Sequence, residues 1–374
     1  MLRFNSDHKF KIMQIADTQE IPAVSPDTLS LINNALDREK PDLVIFTGDQ
    51  IKGYSKKFKK DPAIIESTID TLVEPIAKRN IPFMVTYGNH DAQCGVDNHG
   101  QYKFYAKYDN FISGDLRNAD DVGTADIQIY SSTEDKPVFE LYIIDSHGKA
   151  KDGAGYAPVD KEQIEWYVSR REQLKAENGD YLPSLVFQHI PVPEFFDVIK
   201  KVPKGTKGAV PAYGAHENEY FVLNVETIAE GGFMLESPAS PDVNTGEFEA
   251  MSEKGDVLGI YVGHDHNNSF VVKYKGVDLG YTQGAGFNVY GPGENRGVRI
   301  FEFDETAPRE YKTYTATFKE LCGTKIKTPL KEFIYKHAPT SPRAVKPILI
   351  KVGIVIAAIA AVYAAYKFFT GFNI

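Results

Sequence analysis

The sequence predicts an α/β fold with two β-sheets, the first parallel and the second mixed, followed by a C-terminal transmembrane helix. Three observations carry this expectation: a repeated β-α-β alternation from Phe10 to Thr86, a later series of strand-like apolar runs that departs from that rhythm, and an apolar tail near the end of the chain. Alternation of strand and helix favours a parallel sheet, whereas closely spaced runs favour hairpins.

Phe10 to Ala16 alternates as a strand, Pro26 to Glu39 carries Leu29, Ile32 and Leu36 at helical spacing, and Leu43 to Thr47 is a second β-rich run. A helix from Pro62 to Arg79 and a strand from Pro82 to Thr86 repeat the pattern. Further strands are expected at Val138 to Asp145, Ser184 to Gln188, Val257 to Val262, Ser269 to Tyr274 and Val298 to Phe303, with a hairpin around Gly276. Ala92 to Asp126 and Pro203 to Gly255 are polar and rich in Gly and Pro, and read as long insertions that shape a substrate site. The expected organisation is one large domain over 1–335, a proline-containing linker over 336–347 and a transmembrane helix over 348–369.

The formal net charge of -9 argues against a nonspecific nucleic-acid binder, which needs a basic surface to release counterions. The two cysteines, Cys94 and Cys322, are too few to staple a secreted scaffold, and the polar N-terminus lacks the apolar run of a secretory signal. A reducing compartment follows. Ile348 to Phe369 is apolar apart from Lys351 and Lys367, long enough as a helix to cover a bilayer core if both lysines snorkel. A buried or amphipathic terminal helix is the alternative. Lys331, Lys336, Arg343 and Lys346 upstream outweigh Lys367 downstream, so the expected arrangement is a single-pass C-terminal anchor with the large domain in the cytoplasm.

Chemistry enters through the residues that close the strands. Asp17 follows the first, Asp49 the second, Asn89-His90-Asp91 the third, His189 a fourth and His264-Asp265-His266 a fifth. In open α/β sheets the C-terminal strand ends line the ligand crevice, so five segments would deliver oxygen and nitrogen donors to one cleft. A lone Asp at such a place is usually a cap and a lone His a structural residue; the ordered set is what points to metal binding. Asp91 and Asp265 read as residues that orient imidazoles or cap turns. The glycine-dense stretch from Gly284 to Gly297 lacks the lysine of a nucleotide loop and reads as a wall of the cleft. The lysines of Lys56 to Lys60 form a solvated loop that could attract an anionic substrate.

These motifs resemble the signature of calcineurin-like metallophosphoesterases. Gly155-Tyr156, the run Gln163 to Tyr167, and His189-Ile190-Pro191-Val192-Pro193-Glu194-Phe195 are similar to the small purple-acid-phosphatase-like branch known from plants and fungi, with bacterial relatives. The resemblance implies a four-layer α/β/β/α sandwich of the metallophosphoesterase type with metals at one sheet edge. It implies that Asp49 bridges two divalent or trivalent metal ions, Mn, Fe or Zn. Asp17, Gln19 and His266 would complete one site, and Asn89, His189 and His264 the other. It also places His90 at the phosphate as the catalytic residue. Two departures stand out: Gln19 occupies a position where most members carry His, which weakens that site, and Lys52 stands where purple enzymes place a ligating Tyr, so no purple colour is expected.

The implied activity is hydrolysis of phosphomonoesters, on a phosphorylated small molecule or phosphoprotein, by attack of a metal-bound hydroxide. A phosphodiesterase on the same scaffold and a catalytically impaired membrane-anchored binding protein are the alternatives.

Overall fold

A computed structural model of the chain describes residues 1–151, 153, 155–224, 232–337 and 342–370, with side chains at 336, 337, 342–348, 351 and 366–370 outside the description. It divides into two units, Met1–Pro329 and Leu330–Ile374.

In the first unit the main strands are β1 (Lys9–Ile15), β2 (Leu43–Thr47), β3 (Phe83–Thr86), β4 (Asp121–Tyr130), β5 (Pro137–Ile144), β6 (Ser184–Gln188), β7 (Val257–Val262), β8 (Asn268–Tyr274), β9 (Val277–Tyr281), β10 (Gly297–Asp304) and β11 (Tyr311–Thr317). One sheet has five strands in the order β11-β10-β1-β2-β3. Its β1, β2 and β3 are parallel, as the β-α-β alternation predicts, while β10 joins β1 antiparallel. The other has nine strands and contains the run β4-β5-β6-β7-β9-β8. It is mixed: β5, β6, β7 and β9 are parallel neighbours, and the β8-β9 hairpin turns at Lys275-Gly276.

Three apolar clusters set the layers. Phe10, Ile12, Leu43 and Ile45 of one sheet meet Leu141, Ile143, Leu185 and Phe187 of the other. Leu31, Leu36, Ile69 and Leu72, from helices Pro26–Glu39 and Pro62–Ala77, cover the outer face of the first sheet. Tyr167 of helix Lys161–Asn178, with Phe248 and Met251, covers the outer face of the second. The helices start where their caps dictate: Ser25 accepts the N–H of Asp27 and Asp61 that of Ala63, each ahead of a proline suited to the first turn.

Two local readings change. Ala92 to Asp126 contains helix Asn98–Ala106, strand Asp115–Asn118 and the start of β4. Its glycine and aspartates hid β4, which forms because β5 pairs with it over Ala125–Tyr130, and Arg170 holds the buried Asp126 carboxylate at 2.8 Å. Pro203 to Gly255 holds a small three-stranded sheet and helix Glu247–Ser252, with 225–231 outside the described residues. Cys94 and Cys322 are both free.

The second unit contains helices Pro329–His337 and Pro342–Thr370. Part of the expected linker, 338–341, lies outside the described residues, and helix begins at Pro342 within it. Among the described residues no helix is long and apolar enough to cross a membrane, so the transmembrane helix expected over 348–369 is not supported. Of that span, the side chains at 348, 351 and 366–369 lie outside the described residues.

Ile45 is fully buried between the two sheets. Ile45→Ala is expected to lower unfolding free energy by about 2–5 kcal/mol in a denaturant titration. A loss under about 1 kcal/mol would mean that this face is not the central core.

Candidate metal centre

The site forms where parallel strands of both sheets end. Asp17 follows β1, Asp49 follows β2, Asn89 follows β3, His189 follows β6 and His264 follows β7. The backbone there is unusual: Asp17, Gln19, Asp49 and His264 have φ of 53°, 33°, 54° and 71°. Left-handed φ at residues with a Cβ is uncommon and clusters at functional loops. Close packing fixes the preceding residues too. A Cβ at Gly48, itself at φ 90°, would lie 2.6 Å from His189 Nδ1, and one at Gly263 would lie 2.6 Å from Asp17 Oδ2. Only glycine lets these segments approach one another.

Asp17, Gln19, Asp49, His189, His264 and His266 each lie within 3.5 Å of another of the set. Asp17, Asp49 and His189 are buried and each offers a ligand atom within 4.8 Å of the others, which makes them a candidate metal site. His189 Nε2 is 3.5 Å from Asp49 Oδ2, His266 Nε2 is 3.3 Å from Asp17 Oδ1, and His264 Nδ1 is 3.2 Å from His189 Nε2. Asn89 places both polar side-chain atoms in buried positions without a hydrogen-bond partner, and Asp17 Oδ1 also lacks a donor. Orphaned buried acceptors of this kind are what a cation would satisfy. Gln19 turns its amide nitrogen inward, donating to Asp49 Oδ2 at 2.7 Å, with His266 Nε2 at 3.2 Å. A carboxylate can only accept, so the NH₂ end must face it.

The imidazoles are aimed by carbonyls. His189 Nδ1 lies 2.9 Å from the Thr47 oxygen and His266 Nδ1 2.9 Å from the Tyr290 oxygen. Each carbonyl accepts, so Nδ1 carries the proton and Nε2 is left toward the carboxylates. Burial lowers the pKa of His189, but the adjacent Asp49 outweighs it and pushes it up to about 10. Burial likewise opposes ionisation of Asp49, yet the neighbouring imidazolium holds its carboxyl far below the usual range. Burial and the charge on His189 drive His264 well below its ordinary value. A proton thus supplies positive charge that these carboxylates demand. Cations suit the same buried set of oxygen and imidazole donors.

His90 stands at the lip, half-buried, with its backbone N–H donated to Asp49 Oδ1 at 2.8 Å. Its ring is held by Gln93, whose Oε1 is 2.9 Å from Nδ1, and by the edge-on ring of Tyr54. Lys52 points to the glycine-dense wall, donating to the Asn288 carbonyl at 3.1 Å. That wall packs behind the ligand loops: the Ala285 and Gly286 N–H groups donate to the carbonyls of Ala16 and Asp17.

Sequence reasoning missed several residues. Asp91 accepts the N–H groups of Asp49, Gly88 and Ile51, so it fixes backbone loops and orients no imidazole directly. Asp265 accepts Tyr281 Oη–H and the Ala239 N–H. Tyr290 stacks on His266 and Tyr156 meets His264 edge-on. Tyr54, Gln93 and Tyr290 lie in segments with no motif spacing, so only the folded loops reveal them. A buried polar path also runs between the sheets: Thr282 Oγ1 donates to Gln14 Oε1 at 2.7 Å, and Gln14 Nε2 donates to Thr47 Oγ1 at 3.0 Å.

Residues 10–268 match the calcineurin-like phosphoesterase family. The chain is 29% identical over 338 residues to probable inactive purple acid phosphatase 14 of Arabidopsis thaliana, covering 80% of this chain and 77% of that protein. It is 27% identical over 346 residues to probable inactive purple acid phosphatase 29 of the same plant, covering 83% and 81%. Phosphatase DCR2 of Saccharomyces cerevisiae is 26% identical over 303 residues, covering 73% of this chain and 46% of that protein. With the matched region spanning both sheets and every ligand-bearing strand end, the chain belongs to the calcineurin-like phosphoesterase family and is related within it to the purple-acid-phosphatase-like proteins of plants and yeast.

Proposed function

We propose that the chain hydrolyses phosphomonoesters at a two-cation centre held by Asp17, Gln19, Asp49, Asn89, His189, His264 and His266. The observation that carries this reading is the convergence of these side chains from both sheets with buried acceptors left unsatisfied. When bound, the cations supply Lewis acidity toward a phosphoryl oxygen and a lowered pKa for water. Asp49, placed between the two donor sets, is the shared carboxylate. His90, with Nδ1 anchored on Gln93, keeps Nε2 for a phosphate oxygen or the leaving group. An acidic chain suits compact monoesters better than polyanions.

One observation favours a second reading, a phosphate-binding protein with impaired catalysis. Gln19 closes the Asp17–His266 side with an amide donor to Asp49, and two relatives carry the word inactive in their names. To bind a cation there, the amide must turn its oxygen inward and give up that hydrogen bond.

Elemental analysis separates the readings. Asp49→Asn is expected to lose most bound metal together with activity; unchanged metal content sinks the shared-carboxylate assignment. Gln19→His is expected to raise the affinity of the weaker metal by about tenfold or more, read by chelator titration. Equal retention in both proteins removes Gln19 as the limiting ligand. With a nitrophenyl phosphate and its bis-ester, the monoester should react faster by at least about tenfold. A preference for the bis-ester would make the chain a diesterase, and no turnover of either with both metals bound would favour the binding protein.

A further inference from the structure

Arg299, on β10, is 3% exposed and lies outside the metal centre. Its Nε donates to Thr282 Oγ1 at 3.1 Å, its Nη1 to Thr313 Oγ1 at 3.3 Å, and its Nη2 to Ser269 Oγ at 3.3 Å and to the Tyr281 carbonyl at 2.9 Å. Every one of these acceptors is neutral. Among the described residues no carboxylate is paired with it, and besides burial, which lowers its pKa, only the phenols of Tyr261 and Tyr311 act on its charge. A buried charge without a counter-charge is costly, and natural proteins retain one where something compensates it.

The guanidinium borders a cavity of about 360 Å³ whose wall also includes Ser269, Thr313, Thr315, Thr317 and Asn295. A hydroxyl that accepts from Arg299 still has its own hydrogen to give. Thr282 spends that hydrogen on Gln14 and Thr313 is bonded to the Tyr261 phenol, but Ser269 keeps its own, and one Nη1 hydrogen of Arg299 has no acceptor among the described residues. The wall therefore combines one cation and its spare hydrogen with the free donor of Ser269. Glu320 also borders the cavity, its Oε2 accepting the Thr317 N–H at 3.0 Å, and it disfavours large polyanions.

We propose that this cavity is a second anion site, built around Arg299 and Ser269, for a small tetrahedral oxyanion of the orthophosphate type. The tetrahedral ion offers acceptors in several directions at once, which matches a guanidinium edge beside the Ser269 hydroxyl. Its charge offsets that of Arg299. The site is independent of the metal ligands and of whether the chain is an active phosphoesterase.

The test is calorimetric titration of inorganic phosphate into the full-length chain carrying Asp49→Asn, which disables the metal centre. One saturable site per chain is expected, with a rise in Tm that follows occupancy. The same class of binding should survive chelation in the wild-type chain, which covers the case that Asp49→Asn fails to fold. Arg299→Lys and Ser269→Ala should each weaken it by about tenfold or more, because the fork geometry or the hydroxyl donor is lost. Absence of phosphate binding in the chelated wild-type chain overturns the proposal, as does unchanged affinity in the folded Ser269→Ala protein. Neither outcome bears on the phosphoesterase reading, since no turnover is measured.

Discussion

The architecture depends on keeping the Asp49 carboxylate ionised in a buried place. Desolvation opposes its charge, and three groups answer it: the His90 N–H on Oδ1, the Gln19 amide on Oδ2 and the His189 ring 3.5 Å away. Each comes from a different loop. The two sheets must pack so that the ends of β2, β3 and β6 meet, and the apolar layer between them serves that alignment as well as stability. A buried anion that one chain segment could satisfy would need no such sandwich.

Legibility from sequence tracked the locality of each interaction. The strands β1, β2, β3, β6 and β7 were readable because their apolar runs are short and bounded by turn residues, and the acidic and imidazole residues stood just beyond them. The order of the motifs identified the family. What escaped was set by long-range contact: β4 is a strand because β5 pairs with it, despite Gly123 and its aspartates. Gln93, three residues after His90, and Tyr54, five residues after Asp49, reach the His90 ring through the folded loops that follow the motifs. Asp91 was read as a turn cap or an imidazole orienter, and it caps the turns by accepting backbone amides of Asp49, Ile51 and Gly88.

Gln19, at a position where the family resemblance leads one to expect His, would alter the site without disturbing its scaffold. The amide fits the same left-handed loop and keeps a bond to Asp49, so the surrounding packing has no reason to change. Loss of a strong donor is therefore invisible in the fold and legible only in the chemistry of the side chain. Such a position separates inheritance of shape from inheritance of activity.

The place of β10 in the first sheet bears on how the chain is made. β10 lies between β1 and β11, so the edge of β1 stays open until residues 297–304 have left the ribosome and folded back. The N-terminal β-α-β portion emerges long before then, with one side of a buried-type strand exposing unpaired amides and carbonyls. A nascent chain stalled before β10 would thus carry all seven proposed ligands but an unsealed sheet, and would be a natural client for a chaperone that shields strand edges.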